Sequence, residues 1–347
     1  MRESRLRTDR RKFLRLLAML GVGGQTLLRS WDVRAATHAA REAAGSSPSL
    51  PPMAQRMLGR TGWQASRLVF GCGAALSERP NDSLLDAAFE AGINVFDVGF
   101  RGYYDDAEKH LGPFARRQRS RIFLISKAYV PLEVEPGEDV TIAQARSGAA
   151  GWLAALDGSL RELGVDHVDA YYLMASNNPS IVGSDEIQGT FQRARQAGKV
   201  RFLGLSTHQN AQRVLEAAIR SGGYDLAMIA ITPGGWYDWE SKTILEGSPP
   251  MTELEPLLGR AREAGIGLVG MKAGRYLAGR RFLGWGNPRA FDAHYGERLL
   301  GAKLTPHQRS YAYVLEHGLD VVNADMQSFE HLRENVVAAA TSSQYVA

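Results

Sequence analysis

From about residue 57 the apolar positions follow two alternating rhythms. Short runs that are apolar almost throughout occur at 68–73, 93–97, 122–127, 167–173, 200–206, 226–231, 267–271 and 320–323. Between them lie longer stretches whose apolar residues recur three or four positions apart: 81–92, a segment starting near Asp105 and Asp106, 143–163, 187–197, 210–221, 251–264, 306–317 and 328–340. The first rhythm suits strands buried on both faces, and the second suits helices with one face on a core. Gly or Asn closes most of the helical stretches, as at Gly92, and Met57-Leu58-Gly59-Arg60-Thr61-Gly62 reads as a hairpin turn. Eight strand–helix units in one chain predict the α/β class and a (β/α)8 TIM barrel rather than an open sheet. The long connections at 174–186, 232–250 and 272–304 then fall over one barrel face and form a lid or pocket wall.

The first 35 residues differ from this pattern. They carry nine Lys and Arg against three Asp and Glu, whereas the remainder has 32 basic and 34 acidic residues. The net charge of +4 therefore belongs to the leader, and the body offers no bulk electrostatic case for nucleic acid. Within the leader, Arg10-Arg11-Lys12-Phe13-Leu14 precedes a short, glycine-diluted apolar run, and Arg34-Ala35-Ala36 follows it. This order is that of a secretory signal, and the paired arginines resemble a twin-arginine signal. The expected organisation is a signal peptide over 1–35, a flexible linker over 36–54 rich in Gly, Ser and Pro, and a barrel over 55–347. A periplasmic or otherwise exported location follows, with the twin-arginine export machinery as a partner. The apolar run is too short for a stable transmembrane span. The single cysteine, Cys72, excludes an intrachain disulfide, a cysteine-held iron–sulfur cluster and a Cys-type zinc site. The eight histidines show no metal-ligand spacing.

Candidate chemistry sits at strand ends. Asp97 closes the second strand and is followed by a glycine-rich turn with Tyr103 and Tyr104; Lys127 closes the third. Parallel α/β folds hold their reacting groups there. A lysine ending an apolar strand needs a partner, and Asp97 one strand earlier is a suitable one. The alternatives are an acid that merely ends a strand, aromatics that pack a loop, and a lysine that reaches out to the rim.

Taken in order, several segments resemble the aldo-keto reductase family across nearly all of 55–345. They are Met57–Gly62, 91–97 (AGINVFD), Ser126-Lys127, 159–169 (SLRELGVDHVD), 198–206 (GKVRFLGLS), 265–272 (GIGLVGMK) and Leu332-Arg333-Glu334-Asn335. Ser206-Thr207-His208 and Gly270-Met271-Lys272 look like an exported branch that often carries iron–sulfur modules, without the cysteines for one. The resemblance implies hydride transfer from NAD(P)H to a small-molecule carbonyl substrate, with a Tyr as general acid, a Lys to lower the phenol's pKa and an Asp to hold the Lys. Asp97 and Lys127 match two of these. Counting back from the Glu108–Gly112 motif selects Tyr104, while counting forward from Asp97 leaves Tyr103 as runner-up. The family's strand-four His is Met174 here, which cannot donate a hydrogen bond; Asn177 or Asn178 is a candidate substitute. Ser206, Thr207, Met271, Lys272, Glu334 and Asn335 match cofactor contacts. Asp325 and His331 stand where NADP-preferring relatives have a Lys and an Arg, so NADP preference is doubtful. No metal is implied. Two other readings stay open: a barrel that has lost reductase activity and serves as a binding or accessory protein, and a non-redox barrel enzyme. Trp236, Tyr237, Trp239, Tyr276, Phe282, Trp285 and Phe291 either line an apolar pocket or pack the long loops, and Arg275, Arg280 and Arg281 either receive an acidic group or are solvated.

Overall fold

The computed structural model describes residues 50–278 and 287–345. The expected signal peptide, most of the linker, and Arg280, Arg281, Phe282 and Trp285 lie outside the described residues. A hairpin of β1 (Gln55–Met57) and β2 (Gln64–Ser66) opens the described chain. Eight parallel strands follow: β3 (Leu68–Gly71), β4 (Val95–Asp97), β5 (Phe123–Ala128), β6 (Val168–Leu173), β7 (Val200–Thr207), β8 (Leu226–Thr232), then β10 (Gly267–Met271) and β11 (Val321–Asp325). Between β8 and β10 a two-residue strand, β9 (Gly235–Trp236), folds back antiparallel on β8. Neighbours pair in chain order, β8 pairs with β10, and β11 pairs with β3, which closes the sheet. This is the expected TIM barrel, with helices between successive strands.

Period-two alternation decides what enters the barrel. Val69, Val95, Phe123, Ile125, Ala170, Tyr172, Met228, Val269 and Val321 form one buried cluster inside it. Leu68, Phe70, Phe96, Leu124, Tyr171 and Leu173 face the other way and pack under the helices. Gly204 makes room for Tyr172, since a Cβ there would stand 2.1 Å from that ring. The hairpin plugs the N-terminal end, with Leu58 and Ala65 in the interior cluster. Residues 50–54, the end of the expected linker, lie against the barrel: Leu50 and Met53 pack on the outer core, and Ala54 accepts a bond from the Arg67 amide.

Short helices depart from expectation in several places, among them Gly73–Leu76 and Glu297–Leu300. The segment expected to begin near Asp105 is split: a short helix Arg101–Tyr104 precedes a turn in which Asp105 has φ 50°, and the main helix runs Ala107–Gln118. A one-turn helix, Pro179–Val182, lies in the connection expected to be loop, with Asn178 capping its amides. Among the described residues no helix is long and apolar enough to cross a membrane.

Candidate active site

The same alternation carries polar groups into the C-terminal mouth of the barrel. Asp97 continues the inward face of Val95, and Lys127 that of Phe123 and Ile125. Lys127 Nζ donates to Asp97 Oδ1 at 2.7 Å, to Asp97 Oδ2 at 2.6 Å and to the Val98 carbonyl at 2.7 Å. Three contacts match the three N–H bonds of an ammonium. Asn323, on the inward face of β11, donates to Asp97 Oδ2 at 2.7 Å. Both partners of the ion pair are deeply buried, at 5% and 6% side-chain exposure, so each depends on the other for solvation.

The phenol beside this pair is Tyr104. Its ring centroid is 5.5 Å from Lys127 Nζ, and it lies against Gly73 and Gly99, where a Cβ would approach ring carbons to 2.3 and 2.9 Å. Tyr103 is more exposed and meets Tyr104 edge-on at 4.6 Å. The phenol's net shift is upward, not the lowering expected from the ammonium alone. Burial first, then Asp97 and the phenols Tyr103 and Tyr129, push Tyr104 well above its usual range. The group is thereby kept as a proton donor.

A cavity of about 530 Å³ runs from Asp97, Tyr104 and Lys127 to Glu334 and Asn335. Ser206, Met271 and Lys272 also line it. Thr207 does not: it is fully buried on the opposite face of β7, and its hydroxyl donates to Asn177 Oδ1 at 2.9 Å and the Gln209 carbonyl at 2.5 Å. Burial, with the cations Arg275 and Lys127 adding to it, brings Lys272 down to about 8. Glu334 accepts from Thr305 at 2.5 Å, and Asp325 from Gln327 at 3.1 Å; both acids, with His331, line the cavity.

Met174 lines the cavity where a histidine is expected. Asn177 and Asn178 are committed elsewhere. Asn178 donates to the carbonyls of Glu135 and Glu138 and caps Pro179–Val182, and the Asn177 amide is held by Thr207 and Gln209. Trp236, Tyr237 and Phe291 are buried as packing, and Tyr276 rests on the core. Of the loop arginines, Arg275 reaches the cavity. Several cavity groups were not evident in the sequence, among them Asn323, His307, Tyr311 and His208; the signal for His208 was its place just past β7, two residues after the inward-facing Ser206. Among the described residues no group of three or more His, Cys, Asp or Glu side chains could hold a metal.

Known proteins resemble this chain in sequence and in fold. Residues 67–233 match the Aldo/keto reductase family. An aldo-keto reductase of Schizosaccharomyces pombe, yakc [NADP(+)], is 28% identical over 133 residues, 38% of this chain and 37% of that protein. The uncharacterized oxidoreductase YqkF of Bacillus subtilis is 27% identical over 167 residues, 45% of this chain and 49% of that protein. The chain thus spans half or less of the length of these curated relatives. In three dimensions, a putative aldo-keto reductase from Pseudomonas aeruginosa superposes with a TM-score of 0.59 at 22% identity, covering 85% of this chain and 98% of that one. The holo form of an aldo-keto reductase from Bacillus halodurans gives a TM-score of 0.58 at 22% identity over 82% and 90% of the two chains. At that identity the structures establish the fold, and the matched segment, about half of the chain, is similar in sequence to the Aldo/keto reductase family.

Proposed function

We propose that the barrel is an NAD(P)H-dependent reductase of a small carbonyl compound. The observation that carries this reading is the buried Lys127–Asp97 pair beside Tyr104 in a cavity that continues to Glu334 and Asn335. The residues fit a dinucleotide: the lining brings together groups from the ends of β7 and β10 and from the helix Phe329–Thr341, and Lys272 enters the cavity with no salt bridge among the described residues. Ser206, Met271, Lys272, Glu334 and Asn335 would hold it, and the bound nicotinamide supplies the hydride. Tyr104 gives its proton to the carbonyl oxygen, and the Lys127 ammonium, fixed by Asp97, stabilises the phenolate left behind.

Asp325 and Glu334 bring negative charge to the cavity lining, which disfavours a 2′-phosphate. NADH is therefore expected to bind at least as tightly as NADPH, although the yeast relative is named for NADP(+). Calorimetric titration with both cofactors checks this, and clearly tighter NADPH binding contradicts it. Turnover of an aldehyde panel by the wild type, Tyr104→Phe and Tyr103→Phe tests the acid: only Tyr104→Phe should fall to background.

A second reading, a binding or accessory protein, is favoured by Met174 and by the commitment of all three Lys127 donors to Asp97 and Val98. Nucleotide binding with no carbonyl reduced would select it.

Residues 1–35 support export through the twin-arginine route into the periplasm. A reporter fused behind them should cross a bacterial inner membrane, and Arg10→Lys with Arg11→Lys should stop it. Unchanged export of the double variant would remove this assignment.

A further inference from the structure

We infer that His208 anchors the substrate's carbonyl oxygen by a hydrogen bond, supplying the donor that Met174 lacks. The inference rests on the reductase reading and adds a residue to it. The inward face of β7 carries Gly204 and Ser206, Thr207 points away into the Asn177 contact, and His208 follows just past the end of the strand. The inward face of β6 carries Ala170 and Tyr172, and Met174 follows just past the end of the strand. The two strand ends are stitched together: the Ala175 amide donates to Ser206 Oγ at 3.2 Å and the Ser176 amide to the Ser206 carbonyl at 2.7 Å, through a turn in which Ala175 has φ 49°. His208 is thus held at the end of the strand beside Met174, and it lines the same cavity as Tyr104, Lys127 and Met174.

The ring is braced and uncommitted. It packs on Trp239 with centroids 4.9 Å apart, and its nitrogens have no hydrogen-bond partner among the described residues. Burial, with Lys272 and Lys127 adding to it, brings the imidazole down to about 3. A neutral imidazole has one N–H to donate, and it does not compete with Tyr104 as the acid. Proton accounting stays simple: the phenol proton goes to the carbonyl oxygen, and His208 keeps its own. A donor aimed at that oxygen is the oxyanion-hole role.

The test uses the full chain, NADH and NADPH, and two probes, 4-nitrobenzaldehyde and 9,10-phenanthrenequinone. His208→Phe keeps a ring against Trp239 but removes the donor, and kcat should fall about 100-fold or more while nucleotide Kd stays within about twofold. His208→Gln, which retains an N–H, should lose less. Adding Met174→His to His208→Phe should recover at least about tenfold of the lost rate. Independently of turnover, the wild-type His208 ring signals in nitrogen–proton NMR should not titrate between about pH 5 and 8 and should move when 4-nitrobenzaldehyde is added. A His208→Phe rate within about threefold of wild type, or a loss confined to nucleotide affinity, overturns the assignment. So does a comparable collapse in Lys272→Met with His208→Phe active, which would make Lys272 the donor. A wild-type chain that binds nucleotide and reduces neither probe sinks the reductase reading itself, and the anchor with it.

Discussion

Glu108 is a carboxyl with little to solvate it. It is 1% exposed; Oε1 accepts from Ser126 at 2.5 Å, and Oε2 has no partner. Burial raises its pKa, and the neighbouring hydroxyls of Ser126 and Ser159 offset only part of that. The folded chain therefore holds this proton more tightly than the unfolded chain. Below the ordinary glutamate range both states are protonated and the group is neutral in its effect. As pH rises from about 4.5 through the raised folded value, the unfolded state ionises freely and the folded state pays for burying the charge, so stability is lost. Glu108→Gln removes that slope. The drop in Tm between about pH 5 and pH 8 should be smaller in the variant than in the wild type, and an equal drop in both would show that Glu108 ionises without penalty. In sequence Glu108 served only as a register mark for Tyr104. Its burial is set by Ser126 and Ser159 on other elements, which no local pattern displays. Asp97 and Lys127 were legible because charges that end apolar strands are costly unless paired. His208 was not, because its meaning depends on the cavity that it lines together with Ser206, past the end of β7.

At the scale of elements, the strands were the most legible feature, because a short run apolar on both faces fits a parallel sheet covered by helices and little else. The irregular pieces were less so. Arg101–Tyr104 and Pro179–Val182 are single turns, too short for a helical period, although Asn178 before Pro179 is a capping signature in plain view. The hairpin turn at the barrel's closed end carries a sharper constraint. Gly59 has φ 50°, and a Cβ there would stand 2.3 Å from the Gly267 amide nitrogen and 2.6 Å from the Gly265 carbonyl. Neither atom can move without disturbing the entry to β10, where the Arg60 amide bonds to the same Gly265 carbonyl at 2.8 Å. Gly59→Ala should destabilise by more than about 1 kcal/mol. Gly62 at the same turn has φ 73° but open space around it, so Gly62→Ala should cost less, on the order of 1 kcal/mol for the backbone alone. Urea midpoints of the two variants check the order, and a reversed order would mean that the plug is looser than the contacts imply.

At the scale of the whole barrel, the ion pair sits where its removal tests what closes the sheet. Lys127, Asp97 and Asn323 bridge β5, β4 and β11 across the mouth, but the staves are already joined by ladders and by the apolar interior cluster. Two charges taken out of water gain little net stability from each other, whereas one left alone is expensive. Lys127→Met strands a buried carboxylate with Asn323 as its remaining donor and should cost about 3–5 kcal/mol. Asp97→Leu strands the ammonium and should cost a similar amount. Combining the two removes both charges from an interior lined by Val95, Ile125 and Val321, so the double variant should return to within about 1 kcal/mol of wild type. It should also fail to reduce any carbonyl, because nothing remains to stabilise a Tyr104 phenolate. Chemical denaturation of the four proteins gives the coupling directly. If the two single losses simply add, the pair holds the barrel together; if they cancel, it is maintained for the chemistry at Tyr104 and the apolar interior closes the sheet without it.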